Sequence, residues 1–243
     1  MPLGDIDPRV LVALALTLMV GAAVQGLVGL GLGLVAAPVA MLLEPSLMPD
    51  LLLWLAMALP VATLAREHRD IDWPGLGWSL LARIPGTVAG VALVSTFSPD
   101  ALGVAVAVIV LVSVVLTARA VVVPVTRATL VAAGFTSGMT GTASSIGGPP
   151  LAILLQHREP RQIRTTLAVF FLVGAAMSLV GLAFGGRLEL AGATAALLLS
   201  PALLLGLALA RVLRTSVPHD RVRVAILVVC AASAVALLVR SLA

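Results

Sequence analysis

The chain contains no lysine, a single cysteine (Cys230) and few charges of any kind. Only 11% of its 243 residues are charged, against about 25% in an average soluble domain. One cysteine excludes a disulfide within the chain and any metal site built from cysteines. Every basic residue is an arginine, and most arginines stand at the ends of apolar stretches. The isoelectric point of about 11.2 therefore fits arginine's topological role in membrane loops, and no aromatic-plus-basic pattern points to nucleic acid. His68, His157 and His219 lie far apart in loops and read as surface residues. All eleven acidic residues fall at or beyond the ends of the apolar segments, so no span interior carries a carboxylate. No residue pattern calls for a cofactor or a metal.

Hydrophobic residues make up 60% of the chain. They come in runs of roughly 18 to 25 residues, the length that crosses a hydrocarbon core. The runs lack the polar face of a soluble amphipathic helix, and they do not alternate in segments of about ten residues as a membrane β-barrel would. The expected fold class is all-α and integral to the membrane, a single membrane domain over 1–243. The first segment has Arg9 in place of a basic leader region and runs straight into a glycine-rich stretch, so it reads as a span and not as a cleaved leader. Apolar runs and breakers predict segments at 9–43, 47–65, 74–95, 100–118, 126–157, 163–185, 190–211 and 220–241.

Two of these segments are broken in a similar way. The first contains Gln25, Gly26, Gly29, Gly31, Gly33 and Pro38; the second contains Gly138, Gly141, Gly147, Gly148, Pro149 and Pro150. A shift of 112 residues lays Gly26 on Gly138, Gly29 on Gly141 and Pro38 on Pro150. Each broken segment is followed by three ordinary ones, which predicts a duplication: repeat 1 over about 9–118 and repeat 2 over about 126–241. Paired interrupted helices in two halves are the best sequence pointer to a transporter's substrate site.

Loop arginines indicate how the halves face. If each broken segment crosses the membrane once, the loop arginines divide seven and seven, Arg83 set aside. If each goes in and returns, as a re-entrant hairpin or two short spans, the division is eleven to three, with only Arg9, Arg187 and Arg240 on the minor side. The positive-inside rule selects the second arrangement. Each half then crosses an odd number of times, so the second repeat is inverted, and both termini are expected outside the cell.

The breaks expose backbone that hydrocarbon cannot satisfy, so they must face protein or water. Pro149 and Pro150 suit the first turn of a new helix, and Gly147 and Gly148 leave the preceding amides bare, an arrangement that favours an anion. Hydroxyls surround the second break: Thr136, Ser137, Thr140, Thr142, Ser144 and Ser145. They offer hydrogen bonds to an oxyanion, although membrane serine and threonine also bond back to their own helix. Gln25 is the main side chain of the first break. Gly29-x-x-x-Gly33 and Gly86-x-x-x-Gly90 equally read as close helix-packing faces. Arg83 stands inside segment 74–95, where an arginine costs roughly 3 kcal/mol on insertion scales; it reads as the counter-charge of an anion in transit, or as an arginine that snorkels or donates to carbonyls freed by Pro85. The missing carboxylates argue against coupling to a proton or sodium gradient.

Three stretches together resemble the TauE/SafE family of sulfite and sulfonate transporters: Gly147-Gly148-Pro149-Pro150-Leu151-Ala152, Asp70-Ile71-Asp72-Trp73 before the third segment, and Arg164-Thr165-Thr166-Leu167-Ala168-Val169 opening segment 163–185. The resemblance covers essentially the whole chain. It implies movement of sulfite, sulfonates, sulfoacetate-type compounds or related small sulfur-containing anions across the bacterial inner membrane. The site it implies comprises Gly29, Gly31, Gly33 and Pro38 in one half and Gly147, Gly148, Pro149 and Pro150 in the other. The first motif departs from the family's adjacent glycines, because leucines separate them here.

The sequence thus predicts a non-enzymatic transporter of a small oxyanion, with the lipid bilayer as its environment. The expected substrate site combines those eight residues with Gln25, Arg83, Ser137, Thr140, Ser144 and Ser145. An anion channel of the same fold is the alternative; a membrane-embedded enzyme would need histidines, cysteines or carboxylates among the spans. Association of several copies of the chain stays open.

Overall fold

The computed structural model describes residues 6–28, 31–118, 123–213 and 219–242. Among them are ten α-helices and no strand. In chain order they are α1 (Pro8–Val28), α2 (Leu32–Leu43), α3 (Asp50–Leu64), α4 (Trp73–Thr96), α5 (Pro99–Ala118), α6 (Arg127–Ser144), α7 (Pro149–Leu155), α8 (Pro160–Phe184), α9 (Leu190–Leu213) and α10 (His219–Leu242). The helices fall within a few residues of the expected segments. Five of them (α1, α4, α5, α8 and α9) are long and apolar enough to cross a membrane.

Each expected break is a real interruption that turns the chain back. At the first, Gly31 adopts φ 156°, a conformation that favours glycine, and a Cβ there would collide with Val24. The amide of Leu32 donates to Oε1 of Gln25 at 3.0 Å, and a Cβ on Gly21 would stand 3.3 Å from the Leu32 carbonyl oxygen. The start of α2 therefore lies beside the middle of α1. At the second break, Ser145 caps α6 in the left-handed region at φ 60°. Thr140 Oγ1 donates to the Ile146 carbonyl at 2.9 Å, drawing the strand of backbone after the turn against α6. Pro149 and Pro150 then open α7, where missing amide hydrogens cost least.

Contacts between helices fix their directions. Ser79 meets Gly134, and further along Gly90 meets Met139 and Thr142, so α4 and α6 run parallel. Met19 meets Gly206 and Gly26 meets Ala210, so α1 and α9 run parallel. The end of α3 reaches the start of α8 through Glu67 and Arg164, and its start reaches the loop before α9 through Asp50 and Glu189. Arg240, near the end of α10, bonds the Leu42 carbonyl at the end of α2, while Arg187 bonds Ser95 at the end of α4. Consequently α1 runs from one end of the bundle to the other and α2 returns. One end gathers Arg66, Arg161, Arg164 and Arg211; the other holds Arg187 and Arg240.

Small residues allow this packing, as expected where lipid removes the hydrophobic drive between helices. A Cβ at Gly134 would strike the Ser79 carbonyl, and one at Gly86 the Phe135 carbonyl, so α4 and α6 touch backbone to backbone. Gly86-x-x-x-Gly90 is therefore a packing face.

The register of the two broken segments differs from the 112-residue shift. Gly90 and Gly206, 116 apart, contact Met139 and Met19, which are 120 apart. Gly26 packs near the end of α9, whereas Gly138 packs against Arg83 and Thr87 in the middle of α4. The glycine clusters coincide in sequence at 112, but α1 (21 residues) continues farther past its packing contact than α6 (18 residues) before it breaks.

Candidate functional site

The two breaks meet. A Cβ on Gly33, in the first turn of α2, would stand 2.7 Å from the Ser145 carbonyl oxygen and 3.3 Å from the Ile146 side chain. Ser145 Oγ in turn donates to the Pro49 carbonyl before α3 at 2.9 Å. Beside this junction lies a cavity of about 60 Å³. Residues of both breaks line it: Gly31, Leu32, Gly33, Ser145, Ile146, Gly147, Gly148 and Pro149. α3 contributes Leu52, Leu53 and Ala56, and α8 contributes Phe171 and Ala175.

Arg83 of α4 is the one charged side chain in this lining. It is 3% exposed, and neither Nε nor Nη1 has a hydrogen-bond partner. The guanidinium lies over the ring of Phe170, with Cζ 4.8 Å from the centroid, a cation–π contact that holds it without neutralising it. Three glycines make room for it. A Cβ at Gly141 would stand 2.8 Å from Nη2, one at Gly147 3.3 Å from Nη1, and one at Gly174 2.7 Å from Nη1. A buried cation with unmet donors costs several kcal/mol unless something charged or polar joins it. The freed carbonyl near Pro85 is not the answer, because no such bond forms at Nε or Nη1.

Gln25, Gly31, Gly33, Arg83, Ser145, Gly147, Gly148 and Pro149, all expected at the site, thus share one cavity. Gly29 lies outside the described residues. Pro38 is buried within α2 and Pro150 is half-buried in the first turn of α7, and neither is in the cavity lining. Of the remaining hydroxyls, Thr140 donates to backbone carbonyls at Thr136 and Ile146. Ser144 donates to the Thr140 carbonyl at 2.7 Å. Ser137 is fully buried and its hydroxyl is unpartnered, yet it does not line the cavity. Thr142 pairs with Ser178 at 2.8 Å.

Phe170 and Gly174, which seat Arg83, were not among the residues expected from sequence. Their one signal is the i, i+4 spacing that places both on a single face of α8.

A second cavity of about 650 Å³ lies at the arginine-rich end, between the ends of α3, α5 and α9 and the start of α8. Arg66, Glu67, Arg164 and Arg211 line it, and it shares Gln25, Pro149 and Phe171 with the smaller cavity. Arg164 and Glu67 pair across it at 2.8 Å. The wide cavity, here the vestibule, therefore adjoins the chamber that holds Arg83.

A family model described as sulfite exporter TauE/SafE matches residues 13–237, nearly the whole chain. Neither the curated proteins nor the solved structures give a significant match.

Proposed function

The chain belongs to the sulfite exporter TauE/SafE family, and on that premise we propose that it moves a small sulfur-containing oxyanion, such as sulfite or a sulfonate, across the bacterial inner membrane. The observation that carries this reading is Arg83: a buried guanidinium with two unmet donors, facing a chamber built from interrupted helices. An intramembrane cation without a partner marks an ion pathway by default. An oxyanion seated there would accept hydrogen bonds from Arg83 and from amides of the breaks other than that of Leu32, which Gln25 holds. The substrate set consists of the eight lining residues named above, with Ser137, Thr140, Ser144, Pro38 and Pro150 supporting the breaks; Gly29 joins it by its place in the sequence motif alone.

The two halves act as inverted repeats, 9–118 against 126–241. Three observations support this. The order broken pair, then three helices, occurs twice. α1 and α6 run in opposite directions through the bundle, as do α4 and α9. Asp50 accepts from the Glu189 amide at one end while Thr166 accepts from the Asp72 amide at the other; the two acceptors, Asp50 and Thr166, stand 116 residues apart and the two donors, Asp72 and Glu189, 117. Rocking one half against the other would close the vestibule and open the opposite end, which is alternating access around a fixed site. The arginine-rich end faces the cytoplasm by the positive-inside rule, so the conformation described is open to the cytoplasm.

Counterflow in proteoliposomes tests the reading. Vesicles preloaded with unlabelled sulfite or methanesulfonate should transiently accumulate the labelled anion above equilibrium, and the flux should saturate. Linear flux without counterflow would identify a channel instead.

A further inference from the structure

The charge balance of the inner chamber defines which ionic form it takes. Building on the transport reading above, we propose that the Arg83 chamber accepts its substrate as a monoanion, hydrogensulfite or a short-chain sulfonate, and discriminates against dianions such as sulfate, thiosulfate and fully ionised sulfite.

Arg83 supplies one positive charge, fixed because arginine does not deprotonate in proteins. No other residue lining the chamber is charged or titratable. Facing Arg83, α1 presents the uncharged Gln25, α6 presents Gly141, and α8 presents Phe170 and Gly174. Neither the acid at the start of α3 nor the one just beyond its end lines the chamber: Asp50 holds the Glu189 amide through Oδ2 and Glu67 pairs with Arg164 in the vestibule. Backbone dipoles add little further positive charge. The leading amide of α2 is already taken by Gln25, and α7 has only seven residues. A monoanion against Arg83 therefore makes a neutral pair. A dianion leaves one net negative charge near the membrane midplane, where an uncompensated ion costs several kcal/mol.

Volume agrees with the smallest members of the class and does not by itself discriminate. At roughly 10–15 Å³ per enclosed water, the chamber of about 60 Å³ holds about four to six water-sized groups. Hydrogensulfite, methanesulfonate and sulfate all have that size, so the selection between them falls on charge. The apolar wall formed by Leu34, Leu52, Leu53 and Phe171 suits a methyl group and offers nothing to a fourth sulfate oxygen.

The test is uptake of labelled methanesulfonate into proteoliposomes clamped at zero membrane potential, with unlabelled competitors added over a range from weakly acidic to weakly alkaline pH. Methanesulfonate is a monoanion throughout, so its self-competition should not change with pH. Sulfite should compete in proportion to its hydrogensulfite fraction and lose potency as pH rises, whereas sulfate should compete at least about tenfold more weakly than methanesulfonate. Sulfate competing as well as methanesulfonate, or sulfite competing independently of pH, overturns the monoanion rule while leaving transport intact. If none of these anions, each then supplied labelled in turn, enters above the level of protein-free vesicles, the transport reading falls and this proposal with it.

Discussion

The guanidinium of Arg83 in α4 rests directly on Gly174 of α8, so that a methyl group at 174 would fall 2.7 Å from Nη1. The most conservative substitution at this position, Gly174→Ala, therefore has to move the cation, which Gly141 and Gly147 confine on its other sides. The variant should fold, since alanine is the better helix former. It should lose about tenfold or more in kcat/KM, equivalent to about 1.4 kcal/mol. Wild-type kinetics from a variant that elutes normally from a sizing column would show that the position of Arg83 does not matter.

Gln25 is predicted to act on stability as well as at the chamber. Its side-chain carbonyl takes the leading amide of α2, the task of a helix cap, and loss of a cap typically costs about 1 kcal/mol. In a chain of this size that corresponds to a fall in Tm of roughly 2–4 °C. Thermal unfolding of Gln25→Leu in detergent measures it, and Gln25→Glu should recover the loss because an acceptor returns. An unchanged Tm in Gln25→Leu would mean that the amide finds another acceptor.

Arg66 and Arg211 line the vestibule without contributing to the chamber itself, so their effect should be one of attraction and not of recognition. The double variant Arg66→Gln, Arg211→Gln is expected to raise KM about threefold at low ionic strength with little change in kcat. The difference should shrink near physiological salt, where the Debye length is about 8 Å. A salt-independent loss would place these arginines in contact with the anion. Glu67 and Arg164 are each about one-third exposed, 35% and 36%, so breaking their pair should cost less than about 1 kcal/mol of stability.

Topology gives a fourth prediction. With the arginine-rich end in the cytoplasm, both termini lie outside. A C-terminal alkaline phosphatase fusion should be active, and a C-terminal fluorescent protein that matures only in the cytoplasm should stay dark. The reverse pattern would contradict the orientation and, with it, the direction in which the vestibule opens.

Much of this architecture is legible in the residues. Gly31 and the Gly147–Pro150 run mark the breaks because each carries a local backbone requirement that sequence records directly. Arginine placement indicates a returning path for the broken segments for a similar reason: charge at a loop is a one-dimensional property. Side-chain direction is not. Thr140 and Ser144 lie four residues apart on α6 and both turn onto carbonyls of their own segment, whereas Ser145, one residue on, lines the chamber and bonds the distant Pro49 carbonyl. Composition treats the three alike. Phe170 and Gly174 stayed hidden because their roles depend on which face of α8 meets Arg83, a relation spanning about ninety residues that periodicity alone does not encode. The 112-residue register misleads for a related reason. It aligns glycines, and these have different neighbours in the two halves.

The central claim is that Arg83 supplies the charge that holds the anion. Labelled sulfite counterflow should be measured side by side in proteoliposomes containing the wild-type protein, Arg83→Gln or Arg83→Lys. Removing one partner of a buried, hydrogen-bonded charge pair costs about 2–5 kcal/mol, so Arg83→Gln should lose at least about thirtyfold in kcat/KM. Arg83→Lys, a point charge without the planar fork, should fall between the two. Counterflow by Arg83→Gln at the wild-type rate would contradict the account.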